Sequence, residues 1–145
     1  TVLKPCDAAA TELTGTKDLE TAIRKLHAEY GKHRLVAITA ASKGSVLYNG
    51  KELHWVPVLD LSKVGRKLVD PCGAGDAYFG GLNAAIMKLG FDASLEDLGT
   101  LANATAGLCC SEEGAFPVDP VSPRTDLHKL IASDRGKDTA DRLLA

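Results

Sequence analysis

Residues 70–81 read Asp70-Pro71-Cys72-Gly73-Ala74-Gly75-Asp76-Ala77-Tyr78-Phe79-Gly80-Gly81, and this stretch decides what kind of chain it belongs to. Leu68 and Val69 ahead of it predict a short strand end. Behind it Phe79, Leu82, Ile86 and Leu89, spaced 3, 4 and 3, predict the core face of a helix that Gly90 ends. A glycine-rich turn from strand into helix leaves bare amides at the helix's amino end. There the unpaired donors and the helix dipole favour a phosphate-like anion. By glycine spacing alone, the same turn is equally a tight structural one.

Upstream, the order of elements agrees with a strand-to-helix architecture. Residues 1–5 predict a strand end, and 7–13 a short helix rich in alanine with Gly15 as its C-cap. From Asp18 the apolar residues Leu19, Ile23, Leu26 and Tyr30 recur on one helical face, with Gly31 as terminator. The run RLVAIT (34–39) predicts a buried parallel strand. Residues 45–48 and 51–58 flank Asn49-Gly50, a dipeptide suited to a two-residue type I′ hairpin turn. Downstream, Ser94 and Asp97 predict a capping box for a helix through Leu108 whose residues are nearly all small or apolar, and so buried between neighbours. Residues 112–117 read as a loop and 125–132 as a last short helix. The charged stretch 133–145 reads as a tail or linker with a helical turn, after a main portion over 1–132. Alternating elements with the polar chemistry at a strand-to-helix junction predict an α/β layered sheet, in which ligands bind beyond the carboxyl ends of strands.

The 145 residues are 45% hydrophobic and 25% charged, with 17 Lys plus Arg against 19 Asp plus Glu, which describes a globular chain near neutrality. A net charge of -2 offers no footprint for a nucleic-acid backbone. No apolar run approaches the roughly 18 residues that span a bilayer. Cys6, Cys72, Cys109 and Cys110 lack zinc-ligand spacing, and the adjacent Cys109 and Cys110 read as small core residues; this cysteine usage points to a reducing, cytoplasmic setting. Without an initiator methionine, the chain reads as a fragment or processed product.

The whole string DPCGAGDAYFGG resembles the second signature of the ribokinase (PfkB-type) carbohydrate kinase family, D-[TP]-x-G-A-G-D-x-[FY]. Three further segments are similar to that family in the family's order: LKPCDAAATELTG (3–15), ITAASKGSVLY (38–48) and ANATAGLCCSEEGAFP (102–117). The resemblance implies the carboxyl-terminal portion of a Rossmann-like three-layer α/β/α sandwich, acting as an ATP- and Mg2+-dependent phosphotransferase on a sugar or nucleoside hydroxyl. It implies Asp76 as catalytic base, and Gly73, Ala74 and Gly75 as the anion hole around the transferred phosphate. Thr39, Lys43, Gly44, Gly75 and Asn103 match nucleotide-binding positions. Asp70, Cys72, Cys109, Glu112 and Gly114 fall where many members hold a monovalent cation, for which hard oxygen ligands suit K+. The implied partners are ATP, a small sugar substrate, and the amino-terminal half or a second copy of the chain.

Two departures from the pattern stand out. Cys6 and Ala9 replace the family's asparagine and glutamate, a polar pair that organises magnesium-bound water and phosphate. Ala41 replaces a glycine, and its methyl group crowds the nucleotide if that backbone needs a positive φ. They leave two alternatives beside the kinase: a degenerate kinase-fold subunit with a binding or structural role, and the kinase module of a bifunctional enzyme resembling heptose kinase/nucleotidyltransferase.

Overall fold

The computed structural model describes residues 2–30, 34–114 and 123–145. In chain order it contains β1 (Val2–Leu3), α1 (Asp7–Thr14), α2 (Leu19–Glu29), β2 (Leu35–Thr39), β3 (Ser45–Tyr48), β4 (Leu53–Val56), α3 (Ala74–Leu89), α4 (Leu95–Cys110), α5 (Pro123–Arg135) and α6 (Lys137–Leu144). The strands form one sheet in the order β1-β2-β3-β4, with β1 parallel to β2 and the remaining pairs antiparallel.

Strand β2 explains the layering. Its Val36 and Ile38 pack with Ala10, Ala22, Ile23 and Leu26 of α1 and α2. Its Leu35 and Ala37 turn to the opposite face, into the core shared with Val56 and helices α3 to α6. Both faces are covered, so the strand is apolar throughout rather than alternating. Helices α1 and α2 thus make one layer, the mixed sheet the second and α4 the third; α3 packs along α4, and α5 and α6 beside it. This is the three-layer α/β/α arrangement expected from the sequence.

Several local caps follow the sequence reading. Gly15 is left-handed at φ 66° and donates to Thr11 O at 2.9 Å. Asp18 caps α2 by accepting from the Thr21 amide, and Gly90 closes α3 onto Ile86 O. Gly31 lies outside the described residues, as do residues 115–117 of the predicted loop.

Elsewhere the structure differs. Tyr48 pairs with Leu53, so residues 49–52 make the hairpin turn in place of a two-residue one. Asn49 Oδ1 accepts both the Lys51 and Glu52 amides, at 3.0 and 2.8 Å, and this side-chain acceptor holds the wider turn closed. Strand β4 stops at Val56 because Pro57 has no amide for the ladder. Leu68 and Val69 form no strand; the Val69 and Asp70 amides both donate to Cys110 O at the end of α4.

On α3 it is Tyr78, not Phe79, that is buried. Gly81 sets this rotation, since a Cβ there would lie 2.6 Å from Thr105 Oγ1 and 3.1 Å from Ala102 Cα. Only the serine half of the predicted capping box is present: Ser94 Oγ accepts the Asp97 amide, while the Asp97 carboxylate takes Arg142 from α6. Residues 133–145, read as a charged tail or linker, complete α5 and form α6. Ala140 and Leu143 are fully buried, three residues apart on one helical face. Cys109 and Cys110 are half-buried, at the margin of the core. Among the described residues no helix is long and apolar enough to cross a membrane.

Gly99 seats α4 on the sheet: a Cβ there would lie 2.6 Å from Val56 Cγ2 and 3.0 Å from Leu47 Cδ1. Gly99→Val is expected to lower the unfolding free energy by about 1–3 kcal/mol, the usual cost of overpacking. Urea unfolding checks this, and an unchanged midpoint would show that α4 does not approach the sheet this closely.

Candidate functional site

Gly73 is the N-cap of α3 and sits in the left-handed region at φ 76°, where a side chain would be strained. The residues after it are therefore the first helical turn. The Ala74 amide donates to Pro71 O at 3.1 Å, and the Ala77 amide to Gly73 O at 2.9 Å. Between them, the Gly75 and Asp76 amides meet no backbone acceptor among the described residues. Two donors thus stand open at the positive end of a 16-residue helix. Asp76, in the same turn, is exposed. A turn of this kind binds an anion through main-chain N–H groups and places a carboxylate beside it.

One cation reaches this turn that sequence reasoning missed. Lys4 Nζ donates to Gly75 O at 3.1 Å from the loop after β1. The available signal was position alone, at the carboxyl end of a strand, where α/β sheets place ligands.

The predicted nucleotide segment adjoins the same strand ends. The Thr39 amide, last in β2, donates to Pro5 O at 3.3 Å, and Cys6 forms a parallel bridge to Thr39. The chain then makes a single 3-10 turn over Ala41–Lys43, closed by the Ala40 amide on Gly44 O at 2.8 Å. Gly44 has φ 93°, and a Cβ there would fall 2.1 Å from Val56 O, so only glycine fits. Asn103, 6% exposed on α4, donates from Nδ2 to that same Val56 O at 2.8 Å and to Pro57 O at 3.2 Å. The structure therefore brings Gly44 and Asn103 together on one carbonyl, with the Asn103 amide group committed to main chain. Lys43 is exposed. Ala41 adopts φ 46°, the positive value at which its replacement of glycine matters.

The predicted cation-binding residues also cluster, but as an internally bonded loop. Asp70 accepts the Cys72 amide on Oδ1 at 2.9 Å and the Gly114 amide on Oδ2 at 3.1 Å. The Cys109 thiol donates to Cys72 O at 3.5 Å, and Cys109 O accepts the Glu112 amide at 3.3 Å. Glu112 turns its carboxylate to Arg66, which also holds Ser111 Oγ and Asp126. The Asp70, Cys72 and Cys109 oxygens each accept a hydrogen bond and keep a second lone pair that a monovalent ion could share. For a divalent ion no three metal-ligating side chains gather among the described residues, and Asp7, between Cys6 and Ala9, caps the Ala8 amide. Burial pushes the Cys109 thiol above its ordinary range, and nearby Cys72, Asp70 and Asp76 push it further in the same direction. Burial raises Cys110 likewise.

Two outcomes are expected. Ala41→Gly should raise the unfolding free energy by roughly 0.5–1 kcal/mol by relieving a left-handed alanine, and a lower urea midpoint would refute that strain. Iodoacetamide in mildly alkaline buffer should alkylate the exposed Cys6 and Cys72 before Cys109 and Cys110, as read by peptide mass spectrometry. Earliest labelling at Cys109 would contradict the raised thiol.

Comparison with known proteins bears on the same segments. Residues 1–120 match the model of the pfkB family carbohydrate kinases. The chain is 35% identical over 97 residues to a nucleoside kinase of Methanocaldococcus jannaschii, covering 64% of this chain and 30% of that protein. An adenosine kinase structure from Sinorhizobium meliloti superposes with a TM-score of 0.66 at 28% identity, over 81% of this chain and 33% of that one. A fructokinase from Vibrio cholerae, solved with fructose, ADP and calcium, gives 0.63 at 25% identity, over 79% and 36%. The chain thus spans about a third of the length of these relatives. With the glycine-rich turn at the head of α3, the three-layer sheet around it and a family match over most of its length, the chain belongs to the pfkB family of carbohydrate kinases.

Proposed function

We propose that this chain carries the catalytic turn and nucleotide-binding segment of an ATP-dependent phosphotransferase acting on a sugar or nucleoside hydroxyl. The observation that carries this reading is the start of α3, where open Gly75 and Asp76 amides and an exposed carboxylate occupy one turn. When bound, ATP with a divalent ion supplies the phosphoryl group, in keeping with the ADP and calcium of the Vibrio cholerae fructokinase. The chain's own task is then positioning and charge stabilisation, which dominate phosphoryl transfer.

In this reading Gly73 sets the turn, Ala74 continues it with its amide held on Pro71 O, and the open amides of Gly75 and Asp76 face the charge that develops on the transferred group. Asp76 accepts the proton of the attacking hydroxyl. A loose transition state needs little proton transfer to that carboxylate until late. The segment from Thr39 through Lys43 to Gly44 supports the nucleotide from the strand side, with Asn103 holding that segment through Val56. The Asp70 tie between 70–72 and 110–114 keeps the loop after α4 beside the turn. A monovalent ion would be held there by Asp70 and the Cys72 and Cys109 carbonyls, sharing oxygens that already accept hydrogen bonds. Because the relatives are about three times as long, most acceptor-sugar contacts are assigned to residues outside this stretch or to a partner copy.

A second reading, a kinase-fold binding subunit without turnover, is favoured by Cys6, Ala9 and the left-handed Ala41. Turnover separates the two. In the full-length protein, Asp76→Asn is expected to lower kcat by about 10² to 10⁴ while leaving the nucleotide dissociation constant nearly unchanged. Equal phosphorylation rates from parent and variant would remove Asp76 from the reaction. Nucleotide binding without any phosphorylation of sugars or nucleosides by the parent would favour the second reading.

A further inference from the structure

Two thiols from distant segments meet beside the glycine-rich turn. Cys72 stands on the loop that enters α3, one residue before Gly73, and Cys109 lies in the last turn of α4. The Cys109 thiol donates to Cys72 O at 3.5 Å, across 37 residues of chain. Carbonyl bond lengths then place Cys109 Sγ at most about 6 Å from Cys72 Cα. Bonded cysteines hold their Cα atoms about 5.5–6 Å apart, so the movement that closes this pair is rotation of the exposed Cys72 side chain towards α4.

The pairing is selective. Cys72 acts electrostatically on Cys109, whereas Cys110 responds to Cys109 and Asp70 and not to Cys72. Successive residues of a helix point about 100° apart, which turns Cys110 away from the Cys72 loop. Cys6, the other exposed thiol, makes no hydrogen bond to a cysteine among the described residues. The junction is also ordered beforehand: Asp70 holds the Cys72 and Gly114 amides, and Cys110 O holds the Val69 and Asp70 amides. Two thiols held in one geometry react in an effectively unimolecular step.

We propose that Cys72 and Cys109 form a reversible disulfide, a modification site that ties the entry of the glycine-rich turn to the end of α4. The oxidant is a small disulfide of the glutathione class. Cys72, the exposed partner, reacts first: its thiolate attacks one sulfur of oxidised glutathione, a Cys72–glutathione bond forms and one glutathione thiolate leaves. Cys109 then loses its proton, and its sulfur attacks Cys72 Sγ, forming the protein disulfide and releasing the second glutathione. Two protein thiols are oxidised, one glutathione disulfide is reduced, and the two protons end on the two glutathiones released. Closure also removes the Cys109 donor from Cys72 O. No step uses nucleotide or sugar, so the proposal stands apart from the phosphotransferase reading.

The reduced full-length protein is incubated with oxidised glutathione without denaturant, quenched with iodoacetamide and digested under non-reducing conditions for mass spectrometry. A cross-linked Cys72–Cys109 peptide, two hydrogens lighter than the sum of its parts, is expected, and dithiothreitol should remove it. Cys6 should keep its glutathione for want of a resolving thiol. In Cys109→Ser the reaction should stop at Cys72–glutathione, raising that adduct by about 10-fold or more over the parent. Cys110→Ser should leave the cross-link unchanged. A parent in which Cys72 stays alkylatable, keeps its adduct, or pairs with Cys6 or Cys110 overturns the proposal, and so does a cross-link that forms only in denaturant. Mapping of the parent decides the matter even if Cys109→Ser does not fold.

Discussion

Helix α4 has almost no cushion of side chains between itself and its neighbours. Gly99 lets it settle against Val56 and Leu47 of the sheet, while across its other flank Gly81 of α3 lies against Thr105 and Ala102. Both contacts are too close to admit a methyl group. The helix is accordingly buried along most of its first three turns, including Thr100 and Asn103. Close-packed elements whose contacts leave no gap have little freedom to slide. The position of α3 relative to the sheet, and with it the position of the open amides at its start, follows from this seating.

The same helix fixes the strand side of the site. Asn103 projects from α4 to the last carbonyl of β4, and Gly44 packs its bare Cα on that carbonyl from the other direction. One oxygen atom therefore couples the turn at 40–44 to the helix against which α3 packs. At the far end of α4, Cys110 O takes the Val69 and Asp70 amides, and Asp70 in turn takes the Cys72 and Gly114 amides. The segment entering the glycine-rich turn is thus anchored to α4 although it joins no sheet. Lys4 closes the circuit from β1 to α3. The candidate site is a ring of side-chain-to-main-chain and main-chain contacts around α4, with bare amides and the exposed Asp76 carboxylate at its rim.

Much of this was legible along the chain. The RLVAIT run announced a strand covered on both faces, and the lack of charged residues between Leu98 and Leu108 announced a helix between layers. Gly15, Asp18 and Gly90 announced where helices start or stop. Legibility failed where a residue has two competing uses. Asn49-Gly50 marks a turn, but the Asn49 side chain captures two amides and lengthens it. Tyr78 and Phe79 are neighbouring aromatic residues, and the glycine contact at 81 favours turning Tyr78 inward. The charges of 133–145 hid the spacing of Ala140 and Leu143. Asn103, assigned from the family pattern to the nucleotide, spends its amide on β4, a partner 47 residues away that no local pattern announces.

What the sequence by itself determined is local: where glycine permits a left-handed cap, where a helix can begin, and that the turn at 73–76 places amides and a carboxylate together, because neighbours in the chain share that geometry whatever the rest does. What only the tertiary structure decided is which groups from distant segments meet there. Lys4 reaches Gly75 across 71 residues, and Gly44 and Asn103 converge on Val56, because close packing of α4 leaves those approaches open and closes others.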